Sequence, residues 1–256
     1  MTDKSASDIS DAHTARPSLK GRKAVVTGGT TGIGRAIAVL LASEGVEIFT
    51  CGRDERHLAD GLARINAVGT GHGIACDLAE KGGLDRFFEK AKETLGDWDI
   101  AVLNAAIPAE GLDDMSEDDV RYALAADFTA TVIGAHKAVD HLKDRGDIVV
   151  TGSYSTHKLG GGSTVYAGCK AGVHGFVEAL RREVAQQGIK VGMVVPAKTG
   201  SDFMKPDMDR ADQVEAIAGD DLLRAEDIAV AVHFMLTQPR RANVQEMVVV
   251  QRHTSA

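Results

Sequence analysis

The sequence is poor in cysteine, in aromatic residues and in long apolar runs. Its three cysteines, Cys51, Cys76 and Cys169, are scattered along the chain. They lack the C-x-x-C or Cys/His spacing of a zinc site, so no metal is expected and a reducing compartment fits. No uninterrupted apolar segment approaches the roughly 20 residues of a membrane span, and the first residues lack the apolar core of a signal peptide. The expectation is a cytoplasmic protein with no membrane partner. Basic charge is also short: a formal net charge of -8 supplies no cationic stripe along which a nucleic acid could lie.

What is present suits one large core. The 256 residues are 44% hydrophobic and 26% charged, an ordinary globular balance. Residues 1–18 are rich in Ser, Asp, Ala and Thr, carry no pattern and end beside Pro17; they read as a flexible tail, with a docked arm as the alternative. Residues 19–256 read as a single domain. There, short β-branched runs alternate with segments of helical period. The strand candidates are Lys23–Thr27, Val46–Thr50, His72–Cys76, Asp99–Leu103, Asp147–Thr151, Lys190–Val195 and Glu246–Val250. Helices are expected to begin near Gly32, Asp54, Glu80, Ser116, Ser163 and Arg224. This alternation predicts an α/β fold of the Rossmann type, a doubly wound seven-stranded parallel sheet with helices on both faces.

The first strand runs straight into Gly28-Gly29-Thr30-Thr31-Gly32-Ile33-Gly34 and then a helix. A glycine loop between a strand and a helix cradles phosphates. Gly28 turns the chain, Gly32 lets the backbone approach a pyrophosphate, and Gly34 lets helix and sheet pack closely. Thr30, Thr31 and Ile33 complete the loop, and the helix N-terminus faces the anion. A tight turn with no ligand is the plainer alternative. The segment resembles the T-G-x-x-x-G-x-G motif of the short-chain dehydrogenase/reductase family, which Thr27 to Gly34 matches at every fixed position.

The second strand leads to Arg53, and a dinucleotide's adenosine ribose would lie beside it. An acid there would accept from a ribose 2'-hydroxyl, whereas the planar fork of Arg53 pairs with a 2'-phosphate. The reading is therefore NADP(H), with NAD(H) possible because Asp54 follows directly and because a solvated surface charge is the plain alternative for Arg53. Asp77 and Leu78 resemble the family's Asp-Leu pair, which implies contact with adenine, although Asp77 can also cap a helix. Asn104-Ala105-Ala106 resembles the family's N-A-G stretch with Ala106 at the glycine, which implies a loop beside the adenine ribose.

Chemistry is expected at the carboxyl edge of the fifth strand, which delivers Ser153. Tyr166 and Lys170 follow at i, i+4 spacing, one turn apart on one helix face. A phenol with an ordinary pKa near 10 becomes a competent base only beside a cation, and Lys170 supplies one. Tyr166 then moves the substrate proton as hydride passes to or from nicotinamide. Ser153 holds the substrate oxygen. The trio matches the family's Ser and Y-x-x-x-K signature; the resemblance also implies that Lys170 bonds the nicotinamide ribose. Where the family places an asparagine on the preceding long helix, this chain has Asp127, which is expected to keep the proton relay and alter its pH dependence. A plain helix-face carboxylate is the alternative.

Pro196-Ala197-Lys198-Thr199-Gly200-Ser201 resembles the family's P-G-x-x-x-T stretch, which implies that Pro196, Thr199 and Ser201 meet the nicotinamide carboxamide and the pyrophosphate. The resemblance implies that the segment from Asp202 to Asp221 forms much of a substrate lid over a carbonyl or alcohol substrate, and its polar, acidic character suits a small polar one. Tyr154, His157, Lys158, Pro108 and Glu110 are expected to border the pocket. Small and apolar residues on the helices from Ser116 and Ser163 suit a homo-oligomer, and the family implies a tetramer. A non-catalytic, redox-sensing NADP-binding regulator is the rival reading, against which the intact Ser153, Tyr166 and Lys170 count.

Overall fold

The computed structural model describes residues 17–142, 146–159, 161–204 and 208–253. Most of the expected N-terminal tail lies outside the described residues; Pro17 and Ser18 are exposed. Seven strands form one parallel sheet in the order β3-β2-β1-β4-β5-β6-β7. They are β1 (Lys23–Val26), β2 (Glu47–Gly52), β3 (Thr70–Ala75), β4 (Ile100–Leu103), β5 (Asp147–Thr151), β6 (Lys190–Pro196) and β7 (Glu246–Val249). The helices are α1 (Gly32–Ser43), α2 (Glu55–Asn66), α3 (Gly83–Leu95), α4 (Glu117–Leu124), α5 (Ala130–His141), α6 (Thr164–Val184), α7 (Arg210–Ala218) and α8 (Ala225–Leu236).

Alternation along the strands creates two cores. Ala24 and Val26 of β1, with Ile48, Ile100 and Val102, face a cluster completed by α1, α8 and Ile65 of α2. Val25, Phe49, Ala101 and Ile148 point the other way, against α3, α5 and α6. Because both faces are covered there, β4, β5 and β6 are buried along their whole length, whereas the edge strands β3 and β7 are partly exposed. Each fully buried Val, Ile or Phe stabilises the fold by about 1.5–3 kcal/mol before entropy is counted. At the amino end of the sheet, Asp147 is buried and pinned by Arg22 (2.7 Å), Arg240 (2.9 Å) and Lys190 (3.5 Å), so its charge is paired as burial requires.

The seven strands stand where expected, with ends shifted by a residue or two. Helix starts are met at Asp54, Ser116, Ser163 and Arg224, each as the residue that precedes the first turn. The exception is α3, which starts at Gly83 rather than near Glu80. Asp77 accepts from the Ala79 amide at 2.9 Å, so it caps the short turn before α3 and not the helix. Two features were not expected. The helix that begins after Ser116 is interrupted by a π turn at Ala125–Thr129 before continuing as α5, and α7 forms within the acidic lid segment.

Strand order reverses between β2 and β4, both of which pair with β1. Chain segments leave the carboxyl ends of β1 and β4 in opposite directions there, which opens a crevice.

Candidate active site

A cavity of about 1150 Å³ occupies that crevice and extends along the carboxyl edge of the whole sheet. Its walls come from the segment after every strand: Gly28, Thr30, Thr31, Gly32 and Ile33 after β1; Arg53 after β2; Asp77 and Leu78 after β3; Asn104 and Ala105 after β4; Ser153 after β5; Pro196, Thr199 and Ser201 after β6; and Gln251 and His253 after β7. Tyr166 and Lys170 of α6 complete the wall. Two expected residues stand behind it. Gly34 packs where a side chain would strike the Gly28 carbonyl and Asn104, and Asp127 is wholly buried. Tyr154 and Lys158 border the cavity as expected, whereas Pro108, Glu110 and His157 are not among its walls. His157 instead stands 3.5 Å from Glu246, which His174 approaches at 3.1 Å.

The loop end of the cavity suits a pyrophosphate. Gly28 and Gly32 both adopt positive φ. A Cβ at Gly32 would come within 2.9 Å of Ser201, and one at Gly28 within 3.0 Å of the Ala105 Cα, so the loops are already closed to van der Waals contact without side chains. The N-terminus of α1 has no side-chain cap and no acid in its first turn. By contrast α2, α4 and α7 are capped by Asp54, Ser116 and Asp209. The first amides of α1 therefore keep their partial positive charge for an anion in the cavity.

Hydrogen bonds tie this end to the chemical end. Asn104 donates from its side chain to the Thr27 and Gly28 carbonyls (3.3 and 3.4 Å) and accepts from the Thr151 hydroxyl (3.1 Å). The side chain of Asn104 is thus spent on the loop itself. The Thr151 carbonyl in turn accepts from Lys170 Nζ at 3.0 Å. Thr199 turns its hydroxyl to the Ala197 carbonyl (2.9 Å), and its own carbonyl accepts from the Ser201 hydroxyl at 3.5 Å.

At the chemical end the Ser153 oxygen accepts from the Ser155 amide (3.2 Å) and hydroxyl (2.8 Å). Its own proton is then free for an acceptor in the cavity, which Ser153 and Tyr166 both line. Lys170 Nζ lies 5.7 Å from the Tyr166 ring centre. The phenol is pushed up to about 12, first by burial, with the Ser153 bond and the Asp127 charge as opposing smaller effects. The expected lowering by Lys170 is not met in the protein alone, where burial sets the direction of the shift. Lys170 itself is 2% exposed; burial pulls its pKa down and the Asp127 charge resists. Phe203, from the lid segment, packs on Tyr166 with ring centres 5.4 Å apart.

Asp127 occupies the π turn, a helical irregularity common at functional positions. One oxygen accepts from the Ile107 amide at 2.7 Å; the other is buried without a partner. Burial raises its pKa to about 6, against the lowering effects of Lys170 and the Ile107 bond. The Asp127 carbonyl accepts from the Thr131 hydroxyl at 3.3 Å.

Residues 22–212 match the family model described as short chain dehydrogenase. The chain belongs to the short-chain dehydrogenase family. It is 33% identical over 224 residues to a 3-oxoacyl-acyl-carrier-protein reductase of Haemophilus influenzae, covering 85% of this chain and 91% of that one. It is 29% identical over 234 residues to an uncharacterized oxidoreductase of Staphylococcus aureus, covering 90% and 97%. Among solved structures, a short-chain dehydrogenase from Burkholderia cenocepacia in complex with NADP superposes with a TM-score of 0.82 at 29% identity, covering 91% of this chain and 98% of that one. A Serratia marcescens short-chain dehydrogenase/reductase gives 0.81 at 27%, covering 92% and 98%. The seven-stranded Rossmann-like sheet is common to these proteins, and the chain is an oxidoreductase of this family.

Among the described residues no group of three or more His, Cys, Asp or Glu side chains is placed to hold a metal ion, and no helix is long and apolar enough to cross a membrane. The three cysteines are buried and unbridged. Sequence reasoning missed Ser155, Phe203 and Tyr122, which also lines the cavity. Ser155 was within reach of the text, since a serine two residues past another in a loop commonly bonds back to it. Phe203 and Tyr122 carried no local signal.

The buried Asp127 carboxyl makes a prediction about stability. Its pKa is raised on folding, so its neutral form is the one that the fold favours. The stability that depends on this is present at low pH and is lost as pH rises through about 6. Asp127→Asn, which mimics the neutral acid, should therefore be more stable than wild type at pH 8 by up to about 3 kcal/mol. The gain should shrink toward zero below about pH 4. Urea denaturation at several pH values measures it, and a variant less stable than wild type at pH 8 would contradict the assignment.

Proposed function

We propose that the chain transfers hydride between NADP(H) and a small ketone or secondary alcohol, with Tyr166 as the proton carrier. The observation that carries this reading is the convergence of Ser153, Tyr166 and the buried Lys170 ammonium on one cavity wall, with Ser155 donating to Ser153. Bound in the cavity, the coenzyme supplies or accepts the hydride. The uncapped first turn of α1, with Gly28, Thr30, Thr31, Gly32, Ile33 and Ser201 around it, would hold the pyrophosphate. Asp77, Leu78, Asn104 and Ala105 would border the adenosine, and Pro196 and Thr199 the carboxamide.

In carbonyl reduction the neutral phenol is already in the required state: Tyr166 gives its proton to the substrate oxygen as the carbon gains hydride. Ser153 orients that oxygen by donating to it. In oxidation the phenol must lose its proton first, and its high pKa in the protein alone has to be offset by Lys170 together with the charge of the oxidised coenzyme. Lys170 also reaches the nicotinamide ribose in this reading. Phe203 closes on the ring and excludes water from it.

Arg53 supports NADP(H) over NAD(H). Its guanidinium stands at the cavity edge, whereas the neighbouring Asp54 carboxylate is engaged in capping α2 through the His57 amide at 2.9 Å. The cap occupies one oxygen of that acid, which itself also lines the cavity. The neighbouring structure in complex with NADP and the 3-oxoacyl reductase relative agree with this coenzyme and with a carbonyl substrate. The exposed Leu124, Ile133 and Val248 offer apolar surface for a homotetramer in the cytoplasm.

Two measurements test the reading. NADPH and NADH consumption should be followed with panels of ketones and 3-oxo esters, and reduction of the oxidised coenzymes with secondary alcohols. At least one substrate should turn over, with kcat/KM favouring NADPH by about tenfold or more, and Arg53→Ala should abolish the preference. An unchanged preference would sink the coenzyme assignment, and silence across both panels with coenzyme bound would favour a regulator. The second concerns Asp127. Above about pH 6 its carboxylate is ionised, and its charge acts through space on Lys170 and thereby on proton release from the Tyr166 side. Alcohol oxidation should therefore rise through about pH 6 in wild type and lose that inflection in Asp127→Asn. Superimposable pH-rate profiles would count against a part in the relay.

A further inference from the structure

Arg53 does not stand alone at the cavity edge. Its Nη1 donates to the Tyr122 hydroxyl at 2.7 Å, and the same hydroxyl donates to Asp77 Oδ2 at 2.6 Å. The three residues come from the segments after β2 and β3 and from α4, and all line the cavity. The direction of the bonds is forced. Guanidinium has only donors and carboxylate only acceptors, so the single phenol proton must go to Asp77 while a phenol lone pair takes Arg53. The carboxylate is fixed at its other oxygen by the Ala79 amide at 2.9 Å.

We propose that Tyr122 is a coenzyme-specificity residue: its phenol holds the exposed Arg53 guanidinium at the cavity edge, aimed at the 2'-phosphate of NADP(H). The proposal rests on the NADP(H) reading above.

The physical advantage lies in what the phenol keeps apart. An arginine bonded directly to Asp77 would have its charge offset by a carboxylate, and a phosphate would have to displace that partner. A neutral phenol oxygen anchors one N–H and leaves the positive charge and the other donors of the fork for a bidentate contact. An exposed arginine without an anchor also loses rotamer freedom when it binds, at a cost that the phenol removes in advance. The guanidinium carbon lies 6.0 Å from the Tyr122 ring centre, so the hydroxyl, and not the ring face, makes the principal contact. Tyr122 is half-buried, which limits its own freedom and makes it a suitable post.

The test is equilibrium binding by calorimetry of NADPH and of NADH to wild type, Tyr122→Phe, Arg53→Ala and the double variant. Tyr122→Phe keeps the ring and removes only the oxygen, and thermal melts establish that each variant is folded. NADPH should bind about tenfold more weakly to Tyr122→Phe, with NADH affinity unchanged and with no further effect of Tyr122→Phe once Arg53 is alanine. If Arg53→Ala leaves the ratio of the two affinities unchanged, the NADP(H) reading fails and takes this proposal with it. If Arg53→Ala collapses the ratio while Tyr122→Phe leaves it at the wild-type value, only the proposal is overturned. Equal weakening of both coenzymes by Tyr122→Phe would also overturn it, since the residue would then shape the adenosine pocket alone.

Discussion

Lys170 is a cation that the fold removes from water, and the site is arranged around the need to keep it charged. At 2% exposure an ammonium is costly unless it is bonded and balanced. The Thr151 carbonyl bonds it and the Asp127 carboxylate supplies the balancing charge. Through Thr151 and Asn104 the same network reaches the Thr27 and Gly28 carbonyls. The ammonium and the glycine loop are therefore held in one frame, although they belong to opposite ends of the crevice.

The price of this arrangement appears at Asp127 and Tyr166. A buried carboxylate with one unpartnered oxygen is pushed up to about 6, and the buried phenol to about 12. Both shifts come first from desolvation. They point the isolated protein toward the proton-donating state, with Tyr166 neutral. In the proposed chemistry this suits carbonyl reduction directly, while oxidation depends on the charge that arrives with the coenzyme.

Much of this architecture was readable from the text. Strands buried on both faces are nearly continuous apolar runs, and Asp54 and Ser116 mark helix starts by capping chemistry that is local in sequence. The glycine loop, Ser153, Tyr166 and Lys170 were found through spacing, and the structure brings them to one cavity. The less legible parts depend on tertiary contact. The π turn places Asp127 against the Ile107 amide, a contact between residues far apart in sequence that no helical period announces. Tyr122 meets Arg53 and Asp77 only because the carboxyl ends of β2 and β3 approach α4. The upward shift of Tyr166 was missed because the neighbouring cation was visible in the sequence and the extent of burial was not.

The central claim is that Tyr166 carries the proton, and single-turnover hydride transfer by Tyr166→Phe tests it most directly. With coenzyme and substrate saturating, the account predicts a rate at least about 100-fold below wild type, with NADPH affinity unchanged. A variant that binds NADPH normally and transfers hydride at a rate comparable to wild type would contradict it.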